Sequence, residues 1–510
     1  MAHSDKPVFG NPATAAPAAP RLRPIDRNQF LLLQIDVDKL IPEDHPARAI
    51  WELVGQLDLQ PFYEKVKAVE GRAGQPAFDP QLMISVWVYG LSRGIGSARE
   101  LAHRCDWEPG FQWLNGMGSV NYHSLSTFRS SHAEALKQLF INLLGVLKAA
   151  GLVDLERVAV DGTRIQAQCS DEGCRKGARL QEHLEQAASH VDAVEQESEA
   201  GLSAREQAAQ KRSQRERQEK VAAGLNMLEQ LRKERGAEEA AEVPVSLSEP
   251  EARVMKQPKG GFAPGYNLQL ATDEKKKIIV GSLTSNRGAD NVLLPEVMDT
   301  VEGTCGGLPK EVLIDGGYVS AENLQQTQER GVELIGPAGN PQAAAKKQAQ
   351  QRGVSEAYQK EAFQYDGQTD TYQCPEGKLL IHINDRSREG GRIEHQYRAK
   401  KSDCQDCPHK MECCPKARSH GRTVMRSEPN PLITEFRQKM QLESYQQRYR
   451  KRSEIAEFPN AWIKEKLKLR RFRLRGIAKV ATESLWAVIT YNIQQWIRLI
   501  WRPRSQSATA

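Results

Sequence analysis

The chain has 510 residues, long enough for several structural units or for one large core carrying insertions. With 39% hydrophobic and 27% charged residues, its composition is that of a soluble folded protein. A net charge of +6 is small for so many charges, so only the clustering of Lys and Arg can argue for a nucleic-acid partner.

Residues 1–25 are rich in Ala and Pro and read as disordered; they lack the apolar h-region of a signal peptide. Residues 26–152 read as a helical N-terminal DNA-binding domain. Asp79-Pro80 ahead of LMISVWVYGL gives an N-cap and a first-turn proline. Ser97 offers a second N-cap, and Glu100 the other half of a capping box. After a break over Asn115–Asn121, a further helix runs from Ser124 to His132. Helix, short turn, helix is an arrangement that meets DNA, and it is also what a plain helical bundle looks like.

RVAVDGTRI predicts a strand ending at Asp161-Gly162. Residues 172–248 are crowded with Glu, Gln, Lys, Arg and Ala and read as a charged insertion, a long solvated helical hairpin. GYNLQLAT and KKIIVGSLTS then form a β-hairpin turning at Asp273-Glu274. A helix over Asp290–Val301 leads to EVLIDGGY, a strand ending at Asp315; a helix over Ser320–Arg330 and the strand VELIGPA follow. Residues 153–171 and 249–337 therefore predict one α/β core, a mixed sheet flanked by helices and interrupted by the first insertion. Residues 338–440 are a second, polar insertion. Residues 441–503 carry a basic helix and a last apolar helix that packs on the sheet. Leu485–Trp501 is too polar to span a bilayer, and the expected location is the cytoplasm, with no membrane partner.

Asp-Gly after a strand is usually a turn, so neither Asp161 nor Asp315 is informative alone. Two carboxylates closing neighbouring strands of one sheet repel each other, and a divalent cation resolves the conflict. Oxygen-only ligands favour Mg²⁺ or Mn²⁺, and a pair of such ions can clamp a phosphodiester in an in-line displacement. A third carboxylate is supplied by the run YRKRSEIAEFPNAWIKEKLKLRRFRLRG. From Tyr445 to Lys479 it holds twelve Lys or Arg against three Glu, a phosphate-binding surface. Glu457 and Lys464 share a helix face two turns apart, and Glu454 competes with Glu457 for the carboxylate role. Pro459 places a helix start or kink near Glu457.

These pieces together resemble the DDE transposases of bacterial insertion sequences, in the branch with a Tyr-Arg-Glu-Lys signature on the last catalytic helix. The matching residues are VAVDGT, VLIDGGY and the set Tyr449, Arg452, Glu457 and Lys464, with four residues between Arg452 and Glu457 where the signature often has three. MKQPKGGFAPGYNLQLATDE and FDPQLMISVWVYGLSRGIGSARELAHRC share the likeness. The resemblance spans roughly residues 30–500. It implies an RNase H-like catalytic core with Asp161, Asp315 and Glu457 on two Mg²⁺ ions. It also implies Tyr449, Arg452 and Lys464 on DNA phosphates, and double-stranded DNA as partner. Joining two element ends implies a homodimer or larger assembly. Two rivals share these features: an RNase H-like nuclease without strand joining, and a non-catalytic DNA-binding protein derived from a transposase.

Nine cysteines, an odd and scattered count, make a poor disulfide framework, and five fall within residues 374–414. Cys374, Cys404, Cys407 and Cys413 read as ligands of a structural Zn²⁺, with His409 or Cys414 as substitutes.

Overall fold

The computed structural model describes residues 34–66, 75–169, 174–176, 203–235, 243–246, 248–257, 260–337, 341–388, 392–416, 420–428 and 430–504, with a few isolated positions besides. The expectations for residues 1–25 and for most of the first arm of the charged hairpin lie outside these.

A helical layer comes first: α1 (Pro46–Gly55), α2 (Pro80–Ser92), α3 (Ala98–Trp107), α4 (Pro109–Leu114), α5 (Tyr122–Ser131) and α6 (Ala133–Ala149). Caps fix the starts. Asp79 accepts from the Gln81 amide at 2.7 Å, one residue before Pro80. Asn121 accepts from the His123 amide at 2.7 Å, so α5 begins two residues earlier than Ser124. Ser97 caps α3, but Glu100 turns to Arg104 at 2.7 Å rather than back to the cap. α2 buries Met83, Ile84, Val86, Trp87, Val88 and Tyr89, residues on every side of the helix, because neighbours enclose it.

The central sheet contains β1 (Arg157–Gln166), β4 (Arg253–Lys256), β5 (Phe262–Asp273), β6 (Ile279–Ser285), β7 (Glu311–Leu313) and β8 (Glu333–Ile335). Its main order is β6-β5-β1-β7-β8, and β4 pairs with the first part of β5. β6, β5 and β1 are antiparallel neighbours, whereas β1, β7 and β8 are parallel. An antiparallel meander continued by two parallel strands on the flank of its first strand is the RNase H-like arrangement. Between β1 and β4, the short β2 (Cys174–Arg175) and β3 (Val245–Ser246) pair and close the base of the charged insertion, which carries α7 (Ala204–Arg235). Met227, Leu228, Leu231 and Val245 form a small separate core there.

α8 (Leu294–Cys305) and α9 (Ala321–Glu329) cover the sheet between its later strands, and α10 (Pro341–Gln351) opens the second insertion. That insertion is a five-stranded antiparallel sheet: β9 (Gln364–Asp366), β10 (Thr371–Gln373), β11 (Leu379–Arg388), β12 (Arg392–Ala399) and β13 (Thr423–Ser427). It has its own core around Tyr358, Phe363, Tyr372, Leu380 and Tyr397.

The chain ends with α11 (Pro431–Met440), α12 (Glu443–Arg450), α13 (Arg452–Glu465) and α14 (Ile477–Trp496). α14 lies between the sheet and the helical layer. Its Asn492 accepts from the Ile279 amide at 3.0 Å and donates to the Ile279 carbonyl at 2.8 Å, so a side-chain amide pairs the outer edge of β6. On its other side, Trp486 meets Trp87, with ring centroids 6.3 Å apart. Among the described residues no helix is long and apolar enough to cross a membrane.

Three expectations are corrected. β1 does not end at Asp161; it runs on to Gln166, because Thr163 and Ile165 keep alternating inward and pair along the long β5. Pro459 neither starts nor ends a helix, since α13 begins at Arg452 and carries it inside. The basic run is not one helix: α12 and α13 meet at Lys451, and residues 466–476 are turns and bends with a single bridge at Arg471.

Candidate active site

The register of the parallel strands sets the site. Ala159 of β1 is opposite Leu313 of β7, so Asp161 and Asp315 each lie two residues beyond the last paired position. The short β7 stops there, and the chain leaves it through Asp315-Gly316-Gly317. Asp315 Oδ1 accepts from the Gly317 amide at 2.7 Å, which fixes its carboxylate at the strand mouth.

α13 crosses beneath β1 and β5, burying Ile455, Ala456, Pro459, Asn460 and Ile463. It sends two side chains to Asp161. Arg452 Nη2 donates to Oδ1 at 2.8 Å, and Asn460 Nδ2 donates to Oδ2 at 2.8 Å. The same guanidinium nitrogen stands 3.9 Å from Asp315 Oδ2, so Arg452 is a positive charge lodged between the two carboxylates. Burial pushes the Asp161 carboxyl above the usual aspartate value; Arg452 opposes this, and the charges of Asp315 and Asp290 add to it. Tyr449, half-buried at the end of α12, is raised by burial, with Arg452 opposing and Asp315 and Asp161 adding to the shift. Burial, reinforced by Arg470, lowers the Lys464 ammonium, while Asp161 opposes the shift. Tyr449, Arg452 and Lys464 thus all border the Asp161 cleft.

Glu457 is placed differently. It is exposed on α13 one turn before Asn460. Among the described residues, the one group of three His, Cys, Asp or Glu ligand atoms within 4.8 Å of one another is His382, Asp385 and His395, so the three catalytic candidates are not gathered to that distance. Glu454 is exposed and paired with Lys277. Trp462 packs against Phe458 and Tyr491 and donates to Gln494 at 2.6 Å, a core position.

Reading the sequence missed Asn460 and Asp290. Asp290 accepts from Asn267 at 2.7 Å, from Gln269 at 2.8 Å and from Arg164 at 2.8 Å. Its position just before α8 gave no sign of this; the alternation of Gly162 and Arg164 opposite Gln269 and Asn267 was the available signal. The non-helical course of the basic segment after α13 was also unforeseen. The Gln166 amide donates to the Arg470 carbonyl at 3.2 Å and the Gln166 carbonyl accepts from the Phe472 amide at 2.8 Å, so Lys466, Lys468, Arg470, Arg471, Arg473 and Arg475 run beside the end of β1.

Do these groups fit divalent cations? Two carboxylates closing on one positive charge, with oxygen donors alone, form a hard-cation donor set. The guanidinium of Arg452 stands where that charge is required.

The cysteines of the second insertion face a second small space. Cys374, Cys404, Cys407, Cys413 and Cys414 line one cavity of about 20 Å³. The backbone amides of Lys378 and Arg422 point at Cys374 Sγ (3.2 Å) and Cys404 Sγ (3.3 Å). Burial pushes the Cys413 thiol up to about 12, with Cys414, Cys404 and Cys374 adding to it. Thiols that line one cavity and receive backbone N–H groups are the donor type of a zinc-class ion, although no three of their sulfurs lie within 4.8 Å of one another. His409 instead stacks on Tyr358, ring centroids 5.4 Å apart. None of the nine cysteines is in a disulfide.

Residues 35–131 match a family described as Transposase domain (DUF772), and residues 373–497 match one described as Transposase DDE domain. The second span includes Glu457 and the five cysteines from Cys374 to Cys414, not the strands of Asp161 and Asp315. No curated protein matches the chain. Among solved structures, a cryo-EM structure of the piggyBac transposase synaptic complex with hairpin DNA is similar at 7% identity. It covers 88% of this chain and 73% of that one, with a TM-score of 0.31. Both family matches name one class of protein, and together they indicate an insertion-sequence DDE transposase, a class of enzyme that cleaves and transfers DNA.

Proposed function

We propose that the cleft between Asp161 and Asp315 hydrolyses DNA at the ends of an element and then joins the freed 3′-OH to target DNA. The observation that carries this reading is the matched register of the two aspartates on adjacent parallel strands, with Arg452 between them. Asp161, Asp315 and Glu457 are the residues that hold Mg²⁺ or Mn²⁺. Bound there, these ions supply Lewis acidity to the phosphodiester oxygens.

The chain's own groups do the rest. Asn460 keeps one oxygen of Asp161 oriented while Arg452 gives up the other and turns to a DNA phosphate. Lys464 and Tyr449 take neighbouring phosphates of double-stranded DNA, and the basic segment 466–475 extends that track along β1. Hydrolysis and joining are both in-line displacements at phosphorus, so one cleft serves both. Joining two ends requires both in one complex, so the working form is a homodimer or larger. Cys374, Cys404, Cys407 and Cys413 hold a structural Zn²⁺, and the site of action is the cytoplasm.

The test is Mg²⁺-dependent cutting of a DNA fragment carrying the ends of the gene's own element. Asp161→Asn, Asp315→Asn and Glu457→Gln are each expected to lose about 10³-fold or more in cleavage while DNA binding is kept. Undiminished cutting by any one variant removes that residue from the catalytic set. Cutting without joining by the wild type would favour the nuclease reading.

A further inference from the structure

The five-stranded sheet holds a cluster that the DNA chemistry does not use. His382 and Asp385 are three apart on β11, and residues three apart on an unbroken strand point to opposite faces. A register shift between His382 and Asn384 makes Ile383 the extra residue and returns Asp385 to the face of His382. Asp385 is directly opposite His395 on β12, and His382 is opposite Tyr397, two residues along the same face. One bulge thus brings three ligating side chains together.

They meet at one atom. His382 Nε2 and His395 Nδ1 each lie 2.7 Å from Oδ1 of Asp385, and the three ligand atoms are within 4.8 Å of one another. The imidazoles are sheltered, with side chains 32% and 18% exposed, whereas Asp385 is 53% exposed and leaves a way in from solvent. Tyr397 packs its ring against His382, centroids 5.4 Å apart. The surrounding charge favours a cation. Glu428 lies 4.0 Å from His395 Nε2, and Asp370 faces the same network through Tyr397 Oη at 2.6 Å. The guanidinium opposite, Arg426, is engaged with Tyr397 Oη at 3.2 Å and with the Tyr365 ring.

We propose that His382 Nε2, His395 Nδ1 and Asp385 bind one divalent transition-metal ion of the zinc class. Two imidazole nitrogens and one carboxylate select such an ion over Mg²⁺. Three protein ligands leave a coordination position open toward solvent. The ion replaces the two ring hydrogen bonds to Asp385 and ties β11 to β12 ahead of the short helix Lys401–Gln405 that carries Cys404. This site is separate from both the cysteine cavity and the aspartate cleft, and it does not depend on how either works.

The experiment is equilibrium dialysis of the full-length protein against Zn²⁺, with metal content measured for wild type, His382→Gln and Asp385→Asn. The wild type is expected to retain one equivalent more than either variant, whose binding at this site should weaken about tenfold or more. A Co²⁺-loaded sample reports the thiolate-bound ion separately, and its sulfur-to-cobalt absorption should not change in the variants. Asp385 is exposed, so Asp385→Asn answers the question even if His382→Gln perturbs the sheet. Equal zinc content and affinity in wild type and Asp385→Asn would overturn the proposal.

Discussion

A methyl group on Gly162 would lie 2.3 Å from Gln269 Nε2 and 2.8 Å from Asp290 Oδ1. The residue after Asp161 is therefore a glycine for packing, since the amides that hold Asp290 close over it. Gly162→Ala is expected to cost about 1–3 kcal/mol in urea unfolding and to lower cleavage by displacing the strand that carries Asp161. An unchanged midpoint would mean the amide network moves aside without strain. At this scale the sequence showed which residues are chemical but not which touch. VAVDGT and VLIDGGY pointed to two aspartates that the fold brings to one cleft, because an apolar run ending in Asp-Gly is a short local pattern. Asn460 gave no such sign, because its partner is 299 residues away and a buried Asn on a helix looks like any polar residue.

Elements bear on one another through polar groups that replace missing neighbours. β6 is the outer strand of the meander, and α14 satisfies its edge from the side: Asn492 pairs both backbone groups of Ile279, and Tyr491 donates to the Lys277 carbonyl at 2.7 Å. Asn492→Ala would leave a buried amide and carbonyl unpaired, with an expected loss of about 2–4 kcal/mol in thermal or denaturant melts. A loss below about 1 kcal/mol would show that water takes over the edge. The periodicity of residues 481–501 predicted a helix against the sheet, yet no periodicity encodes that Asn492 acts as a strand partner. The same applies to β1, whose predicted end at Asp161 followed local turn chemistry while the pairing along β5 overrode it. The second sheet rests on a smaller core, and the proposed Zn²⁺ would add to its stability. With the Cys413 thiol held near 12, its thiolate needs a bound cation at neutral pH. Chelator treatment is expected to melt β9–β13 at lower temperature and leave the central sheet's transition in place, read by circular dichroism. A melt indifferent to chelator would argue that the cysteines are plain thiols.

Across the whole molecule, one buried charge joins the helical layer to the end of the chain. Glu483 of α14 accepts from the amides of Arg473 and Leu474 at 3.0 and 2.9 Å, and Arg129 of α5 lies close enough to favour its ionised form. Burial is the larger effect, and the carboxyl is raised above its ordinary value. A raised carboxyl prefers its protonated form in the fold, so its contribution to stability is full below the unfolded value of 4.5 and falls as pH rises through the folded value. Glu483→Gln is expected to flatten that part of the stability profile. Arg129→Met leaves the carboxylate without its counter-charge and should cost about 3–5 kcal/mol at neutral pH, less in acid. A pH-independent loss would mean that Arg129 acts through packing on Trp87, 4.8 Å from its guanidinium, and not through Glu483.

The bond from Arg452 to Asp161 closes a loop of 291 residues, and this sets a clock for synthesis. At a translation rate of ~5–20 residues per second, Asp161 leaves the ribosome roughly 15–60 s before the helix that holds it. Until then the chain can carry both aspartates without Arg452, Asn460 or Glu457. A message cut short upstream of α12 would encode strands with carboxylates but no basic helix, so fragments of this enzyme are expected to leave DNA intact. The insertions that lengthen the loop thereby delay the ability to cut until α13 has been made.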